Sequence, residues 1–163
     1  MGFAPRAAGL DYEAFQHHWS GEHGGLASQI PGLRGYVQNH AVLRDGRPVL
    51  PYVGFDACSE ILFDSIEAMD DGFASEWYRS QVVADEQVLI DKPRFGLFLA
   101  ERRVVREGDA PHGAVKLLTF LPVDPRSSAA ALDALLGGAY AELVAGAGLR
   151  HEQLVEIPGA HDH

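Results

Sequence analysis

Cysteine is nearly absent from this chain: Cys58 is the single one among 163 residues. That excludes an intrachain disulfide and a thiolate zinc cluster. Basic charge is scarce too, with 13 Lys and Arg against 23 Asp and Glu and a net charge of −10. A surface that acidic repels phosphate backbones, so nucleic acid is not expected as a partner. No apolar run approaches the ~20 residues of a membrane helix, so no membrane partner is expected either. The opening stretch MGFAPRAAGLDYE holds one arginine and no apolar core of signal-peptide length. A cytoplasmic protein is the expectation. What the chain does have is an ordinary globular balance, 47% hydrophobic and 22% charged, at a length that suits one compact domain.

Periodicity organises the chain into alternating elements. Residues 11–30 predict an amphipathic helix, with Asp11 as N-cap and Phe15, Trp19, His23, Leu26 and Ile30 on one stripe, stopped by Pro31-Gly32. Leu33 to Leu43 and Cys58 to Phe63 read as strands, the second with Glu60 embedded in it. Ser65 is placed to cap a helix from Ile66 to Phe73, and Ser75 another from Glu76 to about Ile90. Phe95 to Val105 and Val115 to Leu121 read as strands. Ser127 or Ser128 starts an Ala/Leu-rich helix, and Leu149 to Ile157 is a last strand. GLRGYVQNH and GLRHEQLVEI both follow a helix and both open Gly-Leu-Arg, a pattern compatible with an old duplication of a β-α-β-β-α-β unit.

Four segments carry a family resemblance: FQHHWSGEHGGLA (Phe15 to Ala27), PGLRGYVQNH (Pro31 to His40), FDACSEILFDSIEAM (Phe55 to Met69) and ADEQVLIDKPRFGLFLAERRVV (Ala84 to Val105). In this order they make residues 11–106 similar to the EthD family of dimeric α+β barrel proteins. The resemblance implies a ferredoxin-like antiparallel sheet with helices on one face, paired with a second copy as a homodimer. The residues after 106 lie outside the match and look like half of a second such unit, so the expectation is one unit over residues 1–108 and a β-α-β half-repeat over 109–163 packing into the same barrel. Two departures stand out. The strand that should precede the first helix is short or missing, and Phe55-Asp56-Ala57 stands where the family shows Tyr-Asp-Gly. The first departure leaves a slot in the sheet, which Val115–Leu121 or a partner chain is expected to fill.

His23 is the most informative position, because it sits on the core-facing stripe where an aliphatic residue is expected. Burial there favours the neutral imidazole, a usable base; the alternative is a structural histidine bonded to a backbone carbonyl. Strand alternation groups Tyr36, Gln38 and His40 on one face, and Cys58, Glu60 and Leu62 on another. Glu60 needs a partner, which is His23, His40 or an arginine. Asp56 reads first as a turn former, and Trp77 as a lid or core aromatic. His18 and His23 are five residues apart, roughly 140° around a regular helix, so they are not expected to chelate one ion, and no metal is expected.

The resemblance implies a cofactor-independent lyase, isomerase or cyclase acting on a small apolar or aromatic, polyketide-like or lactone molecule. On that reading His23, His40, Glu60 and Tyr36 are the catalytic candidates. His23 is general base or acid, Tyr36 or His40 the donor to a developing oxyanion, and Glu60 the orienter of a histidine. Trp19, Gln38, Asn39, Asp56 and Trp77 are the substrate-binding candidates. Two other classes fit the same family: a non-catalytic accessory protein of an ether-degrading P450 system, and a cofactor-free monooxygenase. Fold analogy alone does not choose among them.

Overall fold

Gly2–Ala4 (β1) occupies the middle of a four-stranded antiparallel sheet, between Ala57–Leu62 (β5) on one side and Gly96–Leu97 (β6) on the other. The computed structural model describes residues 1–108, 113–120, 130–131, 134, 137–138 and 151–156. They fall into two compact units, the first containing Met1–Leu99 and the second Ala100–Ile157. The strand thought short or missing is thus short but present, and it fills its own slot. Residues 114–120 form no strand, which corrects the expectation that they complete the sheet. Pro5 explains the brevity of β1: without an N–H it cannot extend the ladder.

Gly35–Asn39 (β2) pairs with the far edge of β5, so the sheet order is β2-β5-β1-β6, that of a β-α-β-β-α-β unit. β2 ends at Asn39 rather than running to Leu43. The chain then makes a separate hairpin, Leu43–Arg44 (β3) with Arg47–Pro48 (β4). Asp45 and Gly46 turn it with φ of 51° and 72°, the positive pair that a type I′ turn requires.

The first helical stretch is Tyr12–His18 (α1), a π-helical segment Trp19–His23, and Gly24–Ala27 (α2). Asp11 caps it by accepting from the Ala14 N–H at 2.7 Å, as expected. Ser65 caps Ile66–Ala74 (α3) through the Ala68 N–H at 3.1 Å. Ser75 accepts from the Tyr78 N–H and opens a stretch that passes through a second π-helical segment, Tyr78–Val82, into Val83–Leu89 (α4). A single 3₁₀ turn, Lys92–Arg94, leads to β6.

Cross-strand partners share a face, so Gln38 opposite Ser59 and Tyr36 opposite Ile61 define the helix side of the sheet. The core lies there. Ala4, Phe15, Trp19, Ala57, Leu89 and Ile90 form one buried cluster, and Ala27, Ile30 and Val82 a second, against which Tyr36, Phe63, Phe73, Trp77 and Tyr78 pack. The other face carries Phe3, Val37, Asn39, Cys58, Glu60 and Leu62, by the same register.

The expected strand from Phe95 to Val105 is divided. Gly96–Leu97 belongs to the first sheet, while Ala100–Arg106 (β7) pairs antiparallel with His151–Glu156 (β8) in the second unit. The Ala/Leu-rich helix expected after Ser127 lies outside the described residues, apart from helical positions at Ala130, Ala131, Ala134 and Gly137.

Gly72 in α3 packs closely against the Pro31 turn that follows α2. A Cβ there would stand 2.7 Å from the Pro31 carbonyl oxygen and 3.1 Å from the Phe63 ring. Alanine would raise helix propensity by ~1 kcal/mol, but backbone oxygen cannot give way as a side chain can. Gly72→Ala is therefore expected to destabilise the first unit by about 1–3 kcal/mol, read as a lower urea midpoint.

Candidate proton-transfer site

The site begins with the width of one helical turn. Between Trp19 and His23 the backbone bonds from residue i+5 to residue i, the Gly24 N–H reaching the Trp19 carbonyl. Such a turn holds about 4.4 residues rather than 3.6. Two side chains five apart then lie nearly one above the other. His18 and His23 consequently converge, and the 140° separation expected from a regular helix does not apply.

Both imidazoles meet Asp85 of α4. His18 Nε2 lies 2.5 Å from Asp85 Oδ1, and His23 Nδ1 lies 2.8 Å from Asp85 Oδ2. Asp85 is only 8% exposed. A carboxylate that deep is stable only when both oxygens are met by donors, and the two rings supply them. An ionised Asp85 selects the His23 tautomer that donates through Nδ1, in which the lone pair lies on Nε2. Nε2 makes no hydrogen bond to any described residue, and the side chain keeps 11% of its surface exposed.

β2 meets the same helical stretch through Gln38. Gln38 donates from Nε2 to the Trp19 carbonyl at 2.6 Å and to the Tyr36 hydroxyl at 3.1 Å. Its Oε1 lies 3.2 Å from His40 Nε2, and the His40 ring leans on Trp19 at 4.6 Å between centroids. Gly24 lets these groups close up, since a Cβ there would stand 3.2 Å from Gln38 Nε2. Burial pushes the Tyr36 phenol above its ordinary pKa; the charges of Glu86 and Asp85 add to this, while bonds from Gln38 and Trp19 oppose it. Tyr36 is thus a proton-bearing donor at neutral pH. Partial desolvation lowers the His40 imidazole, which keeps that ring neutral.

Next to Asp85 stands Glu86, also buried, bound by Lys92 Nζ at 2.6 Å and approached by the Tyr78 hydroxyl at 3.4 Å. Burial, and then the Glu86 charge, drives the Tyr78 phenol far upward. Neither acid was singled out from sequence, yet a signal existed. Val82, Asp85, Glu86 and Leu89 follow the i, i+3, i+4, i+7 rule of one helical face, and two of the four are carboxylates.

Several sequence candidates lie elsewhere. Glu60 sits on the sheet face away from the helices, where Asn39 Nδ2 donates to it at 2.8 Å and to the Cys58 carbonyl at 3.0 Å. It therefore orients neither His23 nor His40, because strand alternation turns it to the other side; Asp85 is the carboxylate that holds His23. Asn39 shares that outer face. Asp56 accepts from the Arg6 backbone N–H at 2.9 Å and faces its guanidinium at 3.6 Å, tying β1 to the start of β5. Trp77 is a core aromatic whose indole N–H is bound by the Leu26 carbonyl at 3.0 Å. Tyr36, Gln38 and His40 do gather with one another around Trp19.

Removing Asp85 leaves two imidazoles without their acceptor. Asp85→Ala is expected to lower stability by about 1–3 kcal/mol. A urea double-mutant cycle with His18→Ala should give a clear coupling between the two positions, and additive losses would contradict the shared bond.

Among known proteins, no curated sequence matches this chain. The family described as the EthD domain matches residues 7–93, which cover α1, the π-helical segment, β2, β5, α3 and α4 and thus every group around Asp85. Over that span, more than half its length, the chain belongs to the EthD domain family, and its antiparallel α+β sheet is the fold of that family.

Proposed function

We propose that the first unit is a proton-transfer enzyme, a lyase, isomerase or cyclase acting next to the carbonyl of a small aromatic, polyketide-like or lactone substrate. One observation carries this reading: Asp85 takes the Nδ1 side of His23, and Nε2 has no hydrogen-bond partner among the described residues. An imidazole oriented by a buried carboxylate is the arrangement that general-base catalysis requires. His23 Nε2 takes the proton from the carbon beside the carbonyl. The Tyr36 phenol, held protonated, donates to the oxygen on which charge develops.

The imidazolium then returns the proton. Delivered to another carbon, it completes an isomerisation. Delivered to a β-hydroxyl, it expels water as the enolate electrons form the new double bond, which is a dehydration. Both outcomes are redox-neutral and balance without a further reactant. Trp19, its ring tilted against His40 and its carbonyl tied to Gln38, supplies the apolar wall. We also infer that the sheet face opposite the helices of this unit pairs with a second copy, as in the dimeric barrels of the family. Val37 and Leu62 support this, since they leave 48% and 46% of their surface in water on that face.

The test is deuterium exchange. Aryl ketones, β-hydroxy ketones and aromatic lactones are incubated with the purified protein in heavy water, and NMR reads label at carbon and any product. His23→Ala is expected to lower the rate about 10²–10⁴-fold. Asp85→Asn is expected to lower it to a similar degree by releasing the tautomer, and Tyr36→Phe about tenfold or more. Glu60→Gln should leave it unchanged. A ligand that binds without exchange or conversion would favour the accessory-protein reading, and an undiminished His23→Ala rate would overturn the assignment.

A further inference from the structure

The convergence on Asp85 has an outer half that the proton-transfer reading does not use. His18, Glu22 and Asp85 each offer a ligand atom, and the three atoms lie within 4.8 Å of one another. His18 and Glu22 come from successive turns of the first helical stretch, at spacing i, i+4, and Asp85 faces them from α4. We propose that these three side chains bind a divalent ion of the first transition row, with Zn²⁺ as the preferred occupant.

The chemistry of the donors selects the ion. One imidazole nitrogen with two carboxylates suits a borderline cation, whereas Mg²⁺ and Ca²⁺ favour all-oxygen shells. Within the series, intrinsic affinity rises from Mn²⁺ through Co²⁺, and Zn²⁺ outranks the earlier members. Zinc–ligand bonds of about 2.0–2.2 Å place neighbouring ligand atoms roughly 3–3.6 Å apart, so the three groups need only close in slightly. Two carboxylates also match a double positive charge.

Each ligand is differently prepared. Asp85 is already oriented, because His23 Nδ1 holds its Oδ2 and leaves Oδ1 facing His18 and Glu22; this is a second-shell bond of the kind that orients metal-binding carboxylates. His18 is half-buried. Glu22 is exposed and makes no hydrogen bond or ion pair with the described residues, so it closes on an ion without breaking another contact. The ion takes the place of the direct contact between His18 Nε2 and Asp85 Oδ1. Three protein ligands leave open positions for water.

The experiment is calorimetry with Zn²⁺ and visible spectroscopy with Co²⁺ on the whole chain, without substrate, so that it reads independently of turnover. The expected result is one ion per chain with no comparable binding of Mg²⁺ or Ca²⁺. Glu22→Gln, a surface change that leaves the core untouched, and His18→Ala should each weaken binding about tenfold or more. The double variant His161→Ala/His163→Ala, which removes the terminal histidines, should bind as the parent does, as should His17→Ala. Binding undiminished in both Glu22→Gln and His18→Ala would overturn the site. So would its loss in the double variant, or an absence of stoichiometric binding to the parent chain.

Discussion

A carboxylate taken out of water must find donors for both oxygens or cease to be charged, and Asp85 finds two imidazoles from a single helical turn. Everything at the site follows from that requirement. A regular helix would deliver one of the two histidines and direct the other away. The π-helical segment from Trp19 to His23 inserts the extra residue that brings both to the same side. The same segment turns the Trp19 carbonyl toward Gln38, which links β2 to the helix and positions Tyr36 and His40. Local backbone width, buried charge and the polar wall on β2 are one coupled arrangement.

The fold was largely legible because its signals are local. Asp11, Ser65 and Ser75 accept from the N–H groups their positions predict, and the strand around Glu60 is where alternating apolar residues put it. β1 was harder to read. Three residues ended by a proline carry almost no periodicity, and their place in the sheet is set by partners more than 50 positions away. The division of the stretch after Phe95 is of the same kind, since β7 is paired by residues about 50 positions further on.

The site was legible by half. His23 on an apolar stripe was visible, and Tyr36, Gln38 and His40 were rightly grouped on one face. The acid was misassigned: alternation groups Glu60 with Cys58 and Leu62 on its own strand, but the pairing of Glu60 with Val37, which turns it away from Tyr36 and Gln38, is a non-local register. Asp85 was within reach of the argument already used for His23: an ionisable residue at a position where the helical stripe calls for an aliphatic one. Spacing also held the trace of the wide turn. Phe15, Trp19, His23 and Ala27 are all buried and recur every four residues, a period that drifts off one face of a regular helix and stays on it only if a turn widens.

The sheet separates two sets of polar groups that the sequence placed together. Toward the helices stand Tyr36 and Gln38 of β2, with the buried His23 and Asp85 on the helices above. On the far side, Asn39 and Glu60 satisfy one another amid exposed Val37 and Leu62. The central claim is that Asp85 fixes the tautomer of His23. Long-range proton–nitrogen NMR of the imidazole rings tests it most directly. The account predicts that neutral His23 carries its proton on Nδ1, and that Asp85→Asn abolishes this preference. A His23 ring protonated on Nε2 in the parent protein, or one indifferent to Asp85→Asn, would contradict it.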